Sequence, residues 1–354
     1  MVYIIIIILC LFVLLKKQTG FNKYFGVFLL GVLIIVGAFR GIKVGTDTSW
    51  YYNNWFFTTF DVKSWNHFTP FEPGFNILIA FLKNVNSSYY FFYGLIFTVT
   101  LLMFLKAAKI AKVNIGYLFS FFFLCYYFAF CMNIMRQMFA LSIGAILLYS
   151  FYKKKISLIF FEIGVILITL LFHHSMIILA LFPIFVFVDF NRFLNTKKLI
   201  IILVIVQILS KTALPLIQSV ILNFSGIFND RANYYIDLLD EYGFGEANSW
   251  IVAFVSCLVF ILLAADKRNP IFYFSFGGLL LGILLANFGD MSRITVNASF
   301  FSIFYLADKW AKWSNDPKIL LLKMLYLTCV IYILYFSLIN NSAFNPYSTM
   351  FSDL

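Results

Sequence analysis

The sequence predicts an all-α, polytopic integral membrane protein, and three observations carry that prediction. Of the 354 residues, 63% are hydrophobic and 12% charged, and the mean hydropathy is +0.94. A soluble domain is about a quarter charged and just under half apolar, so too few polar residues remain here to cover a soluble core. The apolar residues fall into long runs, and a helix lets such a run pair all its own backbone groups in hydrocarbon. The formal charge of +11 comes from short basic clusters between the runs. That is an orientation signal and not a nucleic-acid surface. A soluble enzyme, a disordered chain and a secreted disulfide scaffold are excluded. Cys10, Cys125, Cys131, Cys257 and Cys329 lie inside apolar runs without paired spacing and read as small buried hydrophobes.

Residues 1–15 have no basic start and are followed by Lys16 and Lys17, the reverse of a cleavable signal peptide. The N-terminus is therefore placed outside and residues 16–23 inside. Residues 24–39 cross outward to a first periplasmic loop, 40–87. Within it, residues 74–85 are apolar but too short to span, either re-entrant or an outer extension of the next span. Residues 88–105 return to Lys106, Lys109 and Lys112, and 114–131 cross outward to the turn at Asn133 and Arg136. Residues 138–152 return to Lys153, Lys154 and Lys155, and 156–172 cross to His173, His174 and Ser175. Residues 176–188 lead in to Arg192, Lys197 and Lys198.

A span from residue 199 reaches a second periplasmic loop, 214–248. There Tyr235, Leu238, Leu239 and Tyr242 recur at helical spacing and predict an amphipathic helix over the membrane mouth. Residues 250–265 lead in to Lys267 and Arg268, 271–288 out to Asp290 and Arg293, and 294–307 back to Lys309, Lys312 and Lys318. Residues 319–339 exit to the tail 340–354. The count is about twelve spans in a single transmembrane domain, 1–354, with both termini periplasmic. Most of the 26 Lys and Arg then fall inside, as the positive-inside rule requires. Several runs are shorter than the usual ~20 residues, so their ends extend into flanking aromatics. No internal repeat is detectable, which weighs against inverted-repeat transporters.

The polar residues that are not cytoplasmic anchors gather on the outer side. The first loop carries Arg40, Asp47, Trp50, Tyr51, Tyr52, Trp55, Asp61, Trp65, His67 and Glu72. Its aromatics read either as an interfacial belt or as a surface on which sugar rings stack. The stretch from Gly45 to Thr48 lacks the Gly-Lys-[Ser/Thr] ending of a nucleotide loop. Arg136 lies on the face where an arginine is disfavoured, so a partner or a ligand is expected to hold it. Arg293 is placed at the same level, with Asp290 as an alternative salt-bridge partner. Two or three such guanidiniums suit a diphosphate, because each planar fork holds phosphate oxygens bidentately. His173 and His174 close the outer end of a span, where an imidazole suits a general base. Zinc is a poor alternative, since neither a cysteine nor a His-x-x-x-His spacing supports it. Glu162, seven residues past Lys155, sits about 10 Å up its helix and is expected to face the bundle interior in a structural role.

Gly45-Thr46-Asp47-Thr48 with Tyr51, then Glu72-x-Gly74-Phe75, Asn133-x-x-Arg136-Gln137, Phe172-His173-x-Ser175 and Asn345-Pro346-Tyr347 follow in order along nearly the whole chain. In this set the sequence resembles the EpsG-like branch of the Wzy-type bacterial O-antigen and exopolysaccharide polymerases. The resemblance implies a GT-C-like glycosyltransferase bundle in the inner membrane, acting in polysaccharide or lipopolysaccharide biosynthesis. It implies inverting transfer of an undecaprenyl-diphosphate-linked oligosaccharide onto the next lipid-linked repeat unit at the periplasmic face. Donor, acceptor, membrane lipid and a chain-length regulator protein are the implied partners, with no nucleic acid, nucleotide sugar, metal or other cofactor. His173 is the expected base, with Asp47 and Glu72 next. Arg136 and Arg293 are expected to hold the diphosphate, with Arg40 in reserve, and Tyr51, Gln137 and Ser175 to contact substrate. An O-antigen ligase, a lipid-linked oligosaccharide flippase or other transporter, and a membrane acyltransferase are the competing readings.

Overall fold

The computed structural model describes residues 1–16, 19–45, 47–57, 71–212, 247–265, 268–285, 293–313, 316–342, 344 and 347–352. These residues are 82% helical and contain no strand, so the class is all-α, as expected. In chain order the helices are α1 (Val2–Leu15), α2 (Thr19–Ala38), α3 (Thr48–Phe57), α4 (Pro73–Val85), α5 (Tyr89–Ala111), α6 (Ile115–Leu124), α7 (Tyr127–Asn133), α8 (Met135–Tyr152) and α9 (Leu158–Leu171). A 3-10 stretch, His174–Leu181, leads into α10 (Phe182–Phe187) and then α11 (Thr196–Thr212). The remaining helices are α12 (Ala247–Leu263), α13 (Pro270–Leu284), α14 (Arg293–Ser299), α15 (Phe301–Lys309) and α16 (Pro317–Leu334), the last continued by a π turn, Tyr335–Ile339.

Among the described residues two helices are long and apolar enough to cross a membrane alone, Tyr89–Ala111 and Pro317–Ile339, each of 23 residues. The pair α6 and α7 makes a third only if counted as one span, because the two are bent by 66°. The other apolar helices, such as Val2–Leu15 and Leu158–Leu171, are 10–17 residues long. The continuous span expected over 114–131 is thus broken. At the break Tyr126 takes a left-handed φ of 70°, and its hydroxyl donates to the Ser337 carbonyl at 3.0 Å. No glycine or proline marks this break, since a partner distant in sequence holds it. Residues 176–188 likewise form a 3-10 stretch and a short helix in place of one span. Residues 294–307 are divided between α14 and α15.

The chain divides into two compact units. The first comprises Met1–Leu181, Leu306–Lys312 and Leu334–Leu354. Its centre is α5 against α8 and α2, with α6 laid on α1 and α2. Backbone contact sets the α2–α6 crossing: a Cβ on Gly26 would lie 2.5 Å from the Gly116 nitrogen. The tail also joins this unit. Gly41 N–H donates to the Ser348 carbonyl at 3.0 Å and Met350 N–H to Phe39 at 2.9 Å, while the Tyr347 hydroxyl donates to the Val36 carbonyl. α9 buries Phe161, Val165, Ile168 and Thr169. Glu162 follows Phe161 and is rotated about 100° from it, so it is half-buried beside exposed Phe160 and Ile163, and not in the interior expected for it.

The second unit comprises Phe182–Tyr305 and Trp313–Ile333. Here α11 packs on α12 and α13, and α13 on α14. The loop ahead of α11 is tied down by Arg268, which donates to the Leu194 carbonyl at 3.3 Å and to the Thr196 hydroxyl. The amphipathic helix expected in the second loop, together with Asp61, Trp65, His67 and Asp290, lies outside the described residues.

Candidate functional site

Three segments far apart in sequence meet at Glu72. Pro73 starts α4 with its fixed φ, and Glu72 is the extended N-cap residue. The Glu72 carbonyl accepts from the Phe75 and Asn76 N–H groups at 3.1 Å, which anchors its backbone. Its carboxylate makes no bond to its own helix start and turns to α8. There Oε2 lies 2.7 Å from Nη1 of Arg136, with side-chain exposures of 7% for Glu72 and 15% for Arg136. Among the described residues the Glu72 Oε2 atom meets no hydrogen-bond donor in aligned geometry, so the pair is held by charge, and removing one partner leaves a costly lone charge. Oε1 accepts from the His174 N–H at 3.4 Å and faces the His174 Nε2 at 4.0 Å, the imidazole itself being 75% exposed.

Aromatic rings wall the pair. The guanidinium lies 4.9 Å from the centre of the Phe71 ring, a cation–π distance. Phe71 stacks on Tyr51 at 5.6 Å with 16° between planes and meets Trp50 edge-on at 4.8 Å. The Tyr51 hydroxyl accepts a long 3.5 Å bond from the Arg136 N–H, so α3 is registered against the start of α8. Asn133 adds a second tie, its Oδ1 accepting from the Asp47 N–H at 2.7 Å. The site therefore holds a guanidinium and a carboxylate walled by rings, with an exposed imidazole at its edge, an arrangement able to meet an anionic group.

The other sequence-predicted residues are placed differently. His173 is half-buried, and its Nδ1 lies 2.6 Å from the Ser175 hydroxyl while accepting the Ser175 N–H at 3.3 Å. Acceptance at Nδ1 puts the proton of the neutral ring on Nε2, making that nitrogen a donor. Arg40 is 2% exposed. Its guanidinium packs 4.2 Å from the Tyr93 ring centre and donates to the Tyr93 hydroxyl and the Met132 carbonyl. Among the described residues those acceptors are neutral, and Met132 directly precedes Asn133. Arg40 thus braces the elbow that Asn133 and Asp47 share and faces no solvent. Gln137 is 1% exposed within α8. Arg293 is the first residue of α14 and belongs to the second unit, where its role stays a sequence-based expectation.

Phe71 and Asn133 join the site without having been predicted as site residues, and His174, one of the histidine pair, joins it where His173 was favoured. Phe71 was visible only as the neighbour of Glu72, and His174 as the twin of His173. Among the described residues no group of three His, Cys, Asp or Glu side chains is placed to hold a metal ion. The model of the EpsG family matches residues 23–349. No curated protein and no solved structure matches the chain.

Proposed function

We propose, on the premise that this chain belongs to the EpsG family, that it polymerises lipid-linked glycan repeats. The family is one of exopolysaccharide and O-antigen polymerase-like proteins, and the helices are apolar, as in a membrane protein. In the proposed reaction the donor is an undecaprenyl-diphosphate-linked oligosaccharide and the acceptor is the next lipid-linked repeat. The acceptor hydroxyl oxygen attacks the anomeric carbon opposite the diphosphate. The carbon–oxygen bond to phosphate breaks, the electron pair leaves with the diphosphate, and the hydroxyl proton passes to a base. Configuration inverts, and neither metal nor cofactor takes part. The protein would lie in the bacterial inner membrane with about twelve spans, both termini outside and the site facing the periplasm.

The observation that supports this reading is the Arg136 fork, 2.7 Å from Glu72 and backed by Phe71, beside the two histidines. A planar cation matches the charge that develops on a departing diphosphate, and Trp50, 41% exposed, offers a face for a sugar ring. The experiment is an assay of the purified protein on synthetic undecaprenyl-diphosphate-linked repeats. A ladder of products growing by whole repeats is the expected result. Transfer onto a lipid A core in place of a repeat would make the protein a ligase, and movement of the lipid without bond formation a flippase.

A further inference from the structure

The Glu72 carboxylate and a donor phosphate compete for one guanidinium. Nη1 of Arg136 is 2.7 Å from Oε2, and both side chains are largely sheltered, so attraction there is stronger than in water. Among the described residues Oε2 accepts no hydrogen bond, so charge alone holds that oxygen, and a phosphate that fills the fork bidentately offers the same cation more charge and better-aligned acceptors. The remaining hold on Glu72 is weak: a 3.4 Å bond from the His174 N–H and a 4.0 Å approach of an imidazole that is 75% exposed. The side chain takes no part in capping α4, so its displacement leaves the helix start intact. The alternative base, His173, accepts at Nδ1 from Ser175. Asp47 is tied through its N–H to Asn133.

We propose that donor phosphate replaces Glu72 at Arg136 and that the displaced carboxylate then serves as the base for the acceptor hydroxyl. This rests on the polymerase reading above. The exchange makes base release conditional on donor binding: until phosphate occupies the fork, the Glu72 carboxylate is turned to Arg136 and not to an acceptor hydroxyl. In the step itself the acceptor O–H bond breaks as its oxygen bonds the anomeric carbon. The proton goes to a Glu72 oxygen and the electron pair of the old glycosidic bond goes to the diphosphate, so charge and atoms balance.

The exchange predicts a split that a structural partner would not show. Binding of undecaprenyl diphosphate to the purified, detergent-solubilised chain is measured beside turnover. In Glu72→Gln the competitor is gone, so the lipid diphosphate should bind about tenfold tighter while turnover falls about 10²–10⁴-fold, the usual loss of a general base. A second measurement on the wild type needs no variant: a carbodiimide that modifies carboxylates should label Glu72 faster when undecaprenyl diphosphate is present. Equal or weaker binding by Glu72→Gln, or protection of Glu72 by the lipid, overturns the exchange. Tighter binding with turnover kept overturns the base assignment. A wild-type chain that binds no undecaprenyl diphosphate overturns the polymerase reading itself, which separates the two failures.

Discussion

A guanidinium and an ammonium carry the same charge, but only the guanidinium presents two parallel donors to phosphate. Arg136→Lys should therefore keep the ion pair with Glu72 in some form and lose the fork. Turnover on lipid-linked repeats is expected to fall at least about tenfold, the effect of about 1.4 kcal/mol, with the melting temperature nearly unchanged. Polymer at the wild-type level would reduce Arg136 to a point charge. The histidine pair gives a second residue-scale prediction. With Nδ1 of His173 accepting from Ser175, His173→Ala should keep more than about a tenth of wild-type turnover, far from the 10²–10⁴ that a base supplies. A dead His173→Ala with normal donor binding would return the role to His173, the base the sequence alone favours. Sequence reasoning brought Arg136 to attention because it breaks the outer-face expectation for arginine, and Glu72 and Tyr51 through the motifs that carry the family resemblance. It held Arg40 in reserve behind Arg136 but could not see that Arg40 is buried, since burial against Tyr93 and Met132 depends on where α5 and α7 pack. It ranked His173 above its neighbour without seeing that His174 is the one that meets Glu72.

Helices in this chain are legible where the apolar run is long, as in α5 and α16, and obscure where tertiary contacts bend them. The α6–α7 break at Tyr126 has no helix-breaking residue because the Ser337 carbonyl, distant in sequence, holds its hydroxyl. The crossing of α2 and α6 was equally hidden, since Gly26 and Gly116 have no motif in common. A Cβ on Gly116 would lie 2.5 Å from the Asn22 carbonyl oxygen, against backbone that cannot step aside. Gly116→Ala should then destabilise the first unit by about 1–3 kcal/mol, the range of core overpacking, read as a lower melting temperature in detergent. Gly31→Ala, with nothing within 4 Å, is the control and should match or slightly exceed the wild type. At the end of α15, burial raises the Asp308 carboxyl, but hydrogen bonds from Lys309 and Lys312 outweigh it and hold the group below its ordinary range. The folded value is thus lower than the unfolded one of about 3.9. Its contribution to stability is present above that unfolded value and is lost as pH falls through the folded value. Melting curves between about pH 5 and pH 3 should show a decline that Asp308→Asn lacks.

At the scale of the molecule, the proposed reaction needs its site on the side of the membrane where lipid-linked repeats are joined, and orientation rests on charge. Lys153, Lys154 and Lys155 follow α8 and precede α9, while Arg136 and His173 stand at the opposite ends of the same two helices. One face of that hairpin is therefore a lysine cluster and the other carries the Glu72–Arg136 pair. Anionic lipid and the insertion machinery favour lysine inside, and on that ground we propose that the pair lies outside. Three variants that each add one cysteine test this. Ser49 is exposed and Ser175 half-buried beside the site, and exposed Asn195 precedes Lys197 and Lys198. The native cysteines give little background, since Cys10, Cys131, Cys257 and Cys329 are buried and only Cys125 is intermediate. In intact cells with a permeabilised outer envelope, an impermeant maleimide should label Ser49→Cys and Ser175→Cys and leave Asn195→Cys unlabelled until the inner membrane is opened. Labelling of Asn195→Cys alone would turn the hairpin over. The Glu72–Arg136 pair would then face the cytoplasm, where activated sugars are nucleotide-linked, and a lipid diphosphate would no longer be the donor that the Arg136 fork implies.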